Sequence, residues 1–180
     1  MSHVLVITSS LRERSNSDRL AEELARGASD AGHLVETVSL KGRTIGFCKG
    51  CLACQKSMRC VIRDDAAELV EKVKEADTVV FATPVYYYGM SGQLKTLLDR
   101  LNPLYPSDYR FRHIYLLSVA AEEDSFVPEK TVACLKGWVD CFEKAELTDS
   151  LFCGGIGDAG EAGKHPDRLE EAYEFGRRLR

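Results

Sequence analysis

No apolar run in this sequence approaches the roughly 20 residues that a membrane-spanning helix requires, which argues against a spanning segment. Met1-Ser2-His3-Val4 has no basic stretch ahead of a long apolar one, so no secretory signal is read there. No lipidation pattern closes the chain. Basic charge is not in excess: 24 Lys and Arg stand against 28 Asp and Glu, for a net charge of −4. A pI near 5.6 lacks the electrostatic footprint of a general nucleic-acid binder. Linkers, low-complexity tracts and internal repeats are absent, and so is the Walker pattern of a P-loop nucleotide site. The four histidines are scattered, at His3, His33, His113 and His165, and offer no acid–base pair. What remains is a chain of 180 residues, 44% apolar and 29% charged. That is an ordinary globular balance, and the length suffices for a core without staples. The expectation is one cytoplasmic domain over residues 1–180 with no nucleic-acid or membrane partner.

Cysteine, by contrast, is plentiful. There are seven. The odd count and the lack of an export signal argue against a disulfide framework. Four crowd between Cys48 and Cys60, while Cys134, Cys141 and Cys153 are scattered and read as packing residues.

The hydropathy pattern alternates between strand and helix. His3 to Thr8 is a short buried strand, and Asn16 to Ala31 carries Leu20, Leu24 and Ala28 at helical spacing with Gly32 as a stop. Leu34 to Leu40 returns to strand. Asp64 caps a helix running to Glu75. Thr78 to Ala82 is a strand that Pro84 stops, and Ser91 to Leu101 is a helix built on Leu94, Leu97, Leu98 and Leu101. Ile114 to Val119 is a strand, Phe126 to Lys144 is mostly helical, Leu147 to Cys153 is a strand, and Pro166 opens a last helix to Arg180. Repeated βαβ units predict an α/β fold with a doubly wound five-stranded parallel sheet and helices on both faces. Ligands of such sheets bind beyond the carboxyl ends of the strands.

Two loops at that edge stand out. After the first strand, Ser9, Ser10, Arg12, Ser15, Asn16 and Ser17 combine hydroxyls, an amide, a guanidinium and a helix N-terminus, an anion cradle or simply a capped helix. After the third strand, Thr83-Pro84-Val85-Tyr86-Tyr87-Tyr88-Gly89 places three tyrosines in a row, which cannot all enter one core. Such a loop suits a flat ring system, or holds ordinary half-buried residues. The segment Gly155-Ile156-Gly157-Asp158-Ala159-Gly160 matches G-x-G-x-x-G but follows the last strand, so it reads as a flexible loop rather than a dinucleotide turn.

Ser9-Ser10-Leu11-Arg12 with Ser15-Asn16-Ser17 resembles the phosphate loop of the NAD(P)H-dependent FMN reductase group of the flavodoxin-like fold. Thr83-Pro84-Val85-Tyr86 through Met90-Ser91-Gly92-Gln93-Leu94-Lys95 resembles that group's flavin loop. Ser9, Leu11 and Ser15 depart from the Gly, Pro and Gly usual in the group. The resemblance implies FMN, with its phosphate on Ser9, Ser10, Arg12, Ser15, Asn16 and Ser17 and its ring against Pro84 to Gly89. It also implies a homodimer or homotetramer. Ala120-Ala121-Glu122-Glu123-Asp124 falls where relatives bring a third flavin-side loop, and is equally a solvated turn.

Cys48, Cys51, Cys54 and Cys60 follow C-x2-C-x2-C-x5-C, a spacing closer to a [4Fe–4S] run than to a structural zinc site. The compact motif resembles that of the archaeal and bacterial iron–sulfur flavoproteins. Free thiols packed under a loop and a thiol redox switch stay open beside cluster binding. The functional expectation is an FMN-dependent oxidoreductase. Electrons would come from NAD(P)H, or from a reduced ferredoxin where the cluster exists, and go to a quinone, free flavin, oxygen species or partner protein. No protein acid or base is assigned. A flavodoxin-type electron carrier and a flavin-free cysteine sensor are the rival classes.

Overall fold

The computed structural model describes residues 1–180. Five parallel strands form the sheet: β1 (His3–Thr8), β2 (Leu34–Ser39), β3 (Thr78–Tyr86), β5 (His113–Val119) and β6 (Glu146–Cys153), in the order β2-β1-β3-β5-β6. The short β4 (Gly89–Met90) pairs antiparallel with the end of β3. The helices are α1 (Asn16–Asp30), the single turn α2 (Cys54–Ser57), α3 (Ala66–Glu75), α4 (Gly92–Arg100), α5 (Glu129–Val139) and α6 (Pro166–Arg177). This is the expected doubly wound, flavodoxin-like arrangement.

Strand residues alternate between two cores, which is why the strands read as unbroken apolar runs. Leu5, Ile7, Val79, Phe81, Ile114 and Leu116 pack against α3, α4 and α5 on one face. Val4, Val6, Val80, Ala82, Tyr115 and Leu117 pack against α1 and α6 on the other. The second pair of helices crosses closely. A Cβ on Gly27 would lie 2.0 Å from the Tyr173 carbonyl oxygen, and one on Gly176 would lie 2.0 Å from that of Leu24, so only glycine permits the approach.

Two expected boundaries move. Pro84 does not stop β3, which runs on to Tyr86 with Pro84 opposite Val119. The Ala82 carbonyl faces β1, where it accepts the Ser9 N–H at 3.0 Å. Strand alternation puts the Pro84 nitrogen on that same side, past the last β1 pairing at Thr8 with Ala82, so no ladder bond is lost there. The helix expected over 126–144 shrinks to α5, because Asp124 to Pro128 and Asp140 to Ala145 turn instead of coiling.

The chain reverses its direction of winding at β1. With β2 on one side and β3 on the other, the loops after β1 and β3 part and open a crevice at the carboxyl edge.

Candidate functional site

Ser15 is the N-cap of α1, its Oγ accepting the Asp18 N–H at 3.2 Å and lying 3.0 Å from the Ser17 hydroxyl. The Arg12 N–H bonds Ser10 Oγ at 3.3 Å, which folds the loop back on itself. Arg12 and Asn16 then reach across to the loop after β6. Arg12 Nη1 donates to the Gly157 carbonyl at 2.6 Å, and Asn16 Nδ2 donates to that of Asp158 at 2.8 Å. Asn16 Oδ1 accepts the Ala162 N–H at 3.0 Å. The Glu161 carboxylate accepts the Gly157 and Asp158 N–H groups, both at 2.7 Å, and these bonds lower its pKa. The G-x-G-x-x-G segment, expected to be a flexible loop, is therefore tied down from α1 and from within. Burial raises the Asp18 carboxyl above its ordinary value, with Thr8 and Ser15 hydroxyls only partly offsetting it.

Ser9 has no exposed surface. Its hydroxyl donates to the Ala82 carbonyl at 3.0 Å and accepts from Ser91 Oγ at 2.9 Å. Thr83 is equally buried, its Oγ1 donating to the Pro84 carbonyl and accepting the Ser91 N–H at 3.0 Å. Both form the floor beneath the crevice.

Tyr87 and Tyr88 are the two central residues of the β3–β4 hairpin, with φ of +49° and +62°. A type I′ turn requires this backbone and normally recruits Asn-Gly. The three tyrosines take separate directions. Tyr86 is half-exposed and Tyr87 fully exposed. Tyr88 donates its hydroxyl to the Glu122 carboxylate at 3.2 Å, an interaction that raises the phenol pKa. Its ring packs against Phe126, with centroids 5.9 Å apart.

Between these loops lies a cavity of about 240 Å³ with two unlike ends. Ser10, Arg12, Ser15, Asn16 and Ser17 form the polar end. Pro84, Val85 and Tyr86 form the other end, with Val119, Ala120, Ala121, Ile156 and Gly157. Ser9, Thr83, Tyr87, Tyr88 and Gly89 lie off its wall. Ala120 and Ala121 belong to the turn that the sequence left open between a third flavin-side loop and a solvated turn, and they line the cavity. The signal was an apolar pair directly after a buried strand. The loop after β6 presses against this turn: a Cβ on Gly154 would lie 2.6 Å from the Glu122 carbonyl oxygen. A helix N-terminus with hydroxyls and a guanidinium suits a phosphate, and the apolar slot suits a flat ring. The residues present fit a flavin mononucleotide.

The cysteine segment is built differently. Cys48 and Cys51 are exposed, Cys60 is half-buried, and Cys54 is buried on α2 with its sulfur accepting Asn102 Nδ2 at 3.2 Å. Left-handed residues at Gly50, Leu52 and Met58 turn the chain between successive cysteines. Cys48 lines a pocket with Asn102 and Cys141, whereas Cys60 lines another with Asp64 and Val70. No three His, Cys, Asp or Glu side chains are placed to share a metal ion. The expected ligand set Cys48, Cys51, Cys54 and Cys60 is therefore not assembled here, and as placed these residues do not fit a cluster. Of the remaining three, Cys153 is buried and its thiol pushed up to about 12 by burial, while Cys141 is exposed rather than packed.

The fold defines a flavodoxin-like protein, and its crevice suits a phosphate at one end and a flat ring at the other. A model of the family described as NADPH-dependent FMN reductase matches residues 2–127, and the chain belongs to that family. An iron–sulfur flavoprotein of Methanosarcina thermophila is 30% identical over 152 residues, covering 83% of this chain and 79% of the relative. An iron–sulfur flavoprotein of Methanocaldococcus jannaschii is 38% identical over 101 residues, covering 56% of this chain and 52% of its own. The match thus spans about half the length of that relative. The fold is shared with an NAD(P)H:quinone oxidoreductase from Methanothermobacter marburgensis, at TM-score 0.76 and 20% identity, covering 98% of this chain and 94% of the other. No helix is long and apolar enough to cross a membrane.

Proposed function

We propose that this chain is an FMN-dependent oxidoreductase of the cytoplasm that takes electrons from NAD(P)H and delivers them to a small acceptor, a quinone or free flavin. The two-ended cavity at the switch point of the sheet carries this reading. Bound FMN supplies the hydride and electron chemistry, which the side chains here do not offer. The chain's own residues bind, orient and shield. Ser10, Ser15, Ser17 and the free N–H groups of the first turn of α1 hold the phosphate, and Arg12 adds a charge-assisted bond. Asn16 acts indirectly, through the loop it pins at Asp158 and Ala162. Ser9 and Thr83 stay in the floor, where their hydroxyls are already committed. Pro84, Val85 and Tyr86 form the slot for the ring. The Tyr87–Gly89 hairpin sets the rim, and Tyr88 holds it to Glu122.

Relatives named iron–sulfur flavoproteins support a cluster at the four cysteines, and a ferredoxin as donor would follow from one. The sulfurs as placed argue against it, so no electron path is drawn through that segment. The family resemblance also supports a homodimer or homotetramer, which would cover the exposed Tyr86 and Tyr87. The test is anaerobic oxidation of NADH and NADPH by flavin-loaded protein, with and without a quinone. Multiple turnovers that depend on the acceptor are expected. Flavin reduced by neither nucleotide, yet reduced and reoxidised by chemical mediators, would make the chain an electron carrier.

A further inference from the structure

Beside the crevice lies a second cavity, of about 300 Å³, that the flavin reading does not use. It shares Arg12 and Ser15 with the polar end of the crevice and continues from there towards Lys41, in the turn after β2. No apolar side chain lines it. Arg14 enters from the β1–α1 loop and Arg19 from α1. Gly160, the last glycine of the G-x-G-x-x-G segment, and Gly163 supply a wall of backbone.

Arg14 is held in an unusual way. Its φ is +50°, a left-handed backbone unfavourable for a residue with a side chain. Its carbonyl accepts the Gly160 N–H at 2.8 Å, which ties this turn to the loop after β6. Arg19 is engaged by Glu22 and Glu23, and Lys41 by the exposed Glu13, whereas Arg14 enters no ion pair. Strain is thus kept at a residue whose charge meets no partner within the chain, the pattern of a ligand contact. Two carboxylates also face the cavity. Glu22 lies 3.5 Å from Arg19, and burial raises the Asp18 pKa, so neither opposes an incoming anion at full strength. Four cations against two weakened carboxylates leave the cavity positive.

We infer that this cavity takes the 2′-phosphate of the reduced nicotinamide nucleotide, with Arg14 as the specificity-determining residue, so that the chain selects NADPH over NADH. This rests on reading the crevice as a flavin site served by a nicotinamide donor. A dinucleotide whose nicotinamide meets the flavin ring is longer than the mononucleotide beneath it, so its adenosine half overruns the polar end. That is where the second cavity begins. The lining suits a phosphate monoester rather than the adenine base, because guanidinium groups match its oxygens and nothing apolar is present to receive a ring. NADH brings only a hydroxyl to the same place, and a hydroxyl gains little from unpaired positive charge.

The test uses the flavin-loaded full chain and two probes, adenosine 2′,5′-bisphosphate and adenosine 5′-monophosphate, titrated by calorimetry. The bisphosphate should bind at least tenfold more tightly. Steady-state oxidation should favour NADPH over NADH by a similar factor, carried by KM. Arg14→Asn removes the charge and tolerates the left-handed backbone, so the loop should keep its shape. It should abolish most of both preferences by weakening the 2′-phosphorylated ligands alone, with FMN affinity and NADH oxidation unchanged. Arg14→Lys should retain part of the preference, and Lys41→Gln should lower it less than Arg14→Asn, since Lys41 is shared with Glu13. Equal affinity for the two adenylates in the unaltered chain, or a preference that survives Arg14→Asn, would overturn the assignment. Arg14-dependent binding of the bisphosphate with a flavin that neither nucleotide reduces would uphold the phosphate site and overturn the donor reading instead.

Discussion

The crevice after β1 and β3 and the cysteine segment are both loops at the margin of the same sheet, but they are held in different ways. In the crevice, residues far apart in sequence meet: Arg12 with Gly157, Asn16 with Asp158 and Ala162, and Ser9 with Ala82 by side chain to backbone, and Ser9 with Ser91 by side chain to side chain. In the cysteine segment, the bonds to the core gather at the stems, where buried Arg100 of α4 donates to the Gly46 and Ile62 carbonyls and to the Asp64 carboxylate. The first arrangement is formed before any ligand arrives, which lowers the ordering cost of binding. The second fixes the ends of the segment and leaves its interior loosely tied.

The largest effect that would break this contrast is loss of the buried Arg100–Asp64 ion pair. Arg100→Met alone should lower unfolding stability by about 3–5 kcal/mol in urea titrations, since it strands a buried carboxylate. The added Asp64→Leu should recover most of that. Recovery would show that the pair specifies the loop more than it stabilises the fold.

Gly154→Ala comes next. Its Cβ would meet backbone atoms of Glu122 and Glu123 at 2.6 and 2.7 Å. A loss of about 1–3 kcal/mol in stability is expected, with weaker flavin binding, because the two flavin-side loops must separate. Unchanged flavin affinity would show that the crevice does not depend on that contact.

Acid should sharpen the comparison. Burial alone would raise the Asp64 carboxyl, but bonds from Arg100, Gly46 and Ala66 outweigh it and hold it below its ordinary value of 3.8. A carboxylate with a depressed pKa stabilises the fold above its unfolded value, and that stability drains away as pH falls through the folded one. Stability measured downward from pH 5 should therefore fall less steeply in the Arg100→Met, Asp64→Leu double variant than in the unaltered chain. Parallel curves would remove the Arg100–Asp64 pair from acid stability.

Replacing Tyr87 by Gly should have the smallest effect. It relieves a left-handed residue and should stabilise by up to ~1 kcal/mol, with flavin affinity unchanged. A clear loss of flavin would place the exposed ring in the site.

Much of the fold was legible because β1, β3 and β5 are buried on both faces and show as apolar runs. The crevice was legible in outline, since hydroxyls before α1 and an aromatic loop after β3 both fall at the switch point. The division of labour inside it was not. Nothing in the order of Ser9 and Ser10 tells which hydroxyl faces the sheet, because that depends on Ala82 and Ser91 from other elements. Arg100 escaped notice for a similar reason. It sits three residues after Leu97 within a buried apolar stripe, and a charged residue at such a position was the available signal. The path between the cysteines depends on left-handed turns at Leu52 and Met58, where residue type gives no warning.

The central claim is that the polar end of the crevice holds a phosphate. Calorimetric titration of FMN and riboflavin into the unaltered chain and Arg12→Ala tests it most directly. FMN should bind at least tenfold more tightly than riboflavin. Arg12→Ala should remove about 1.5–3 kcal/mol of FMN binding, the usual worth of a charge-assisted bond, with little change for riboflavin. Equal affinities for the two flavins in the unaltered chain would contradict the phosphate assignment.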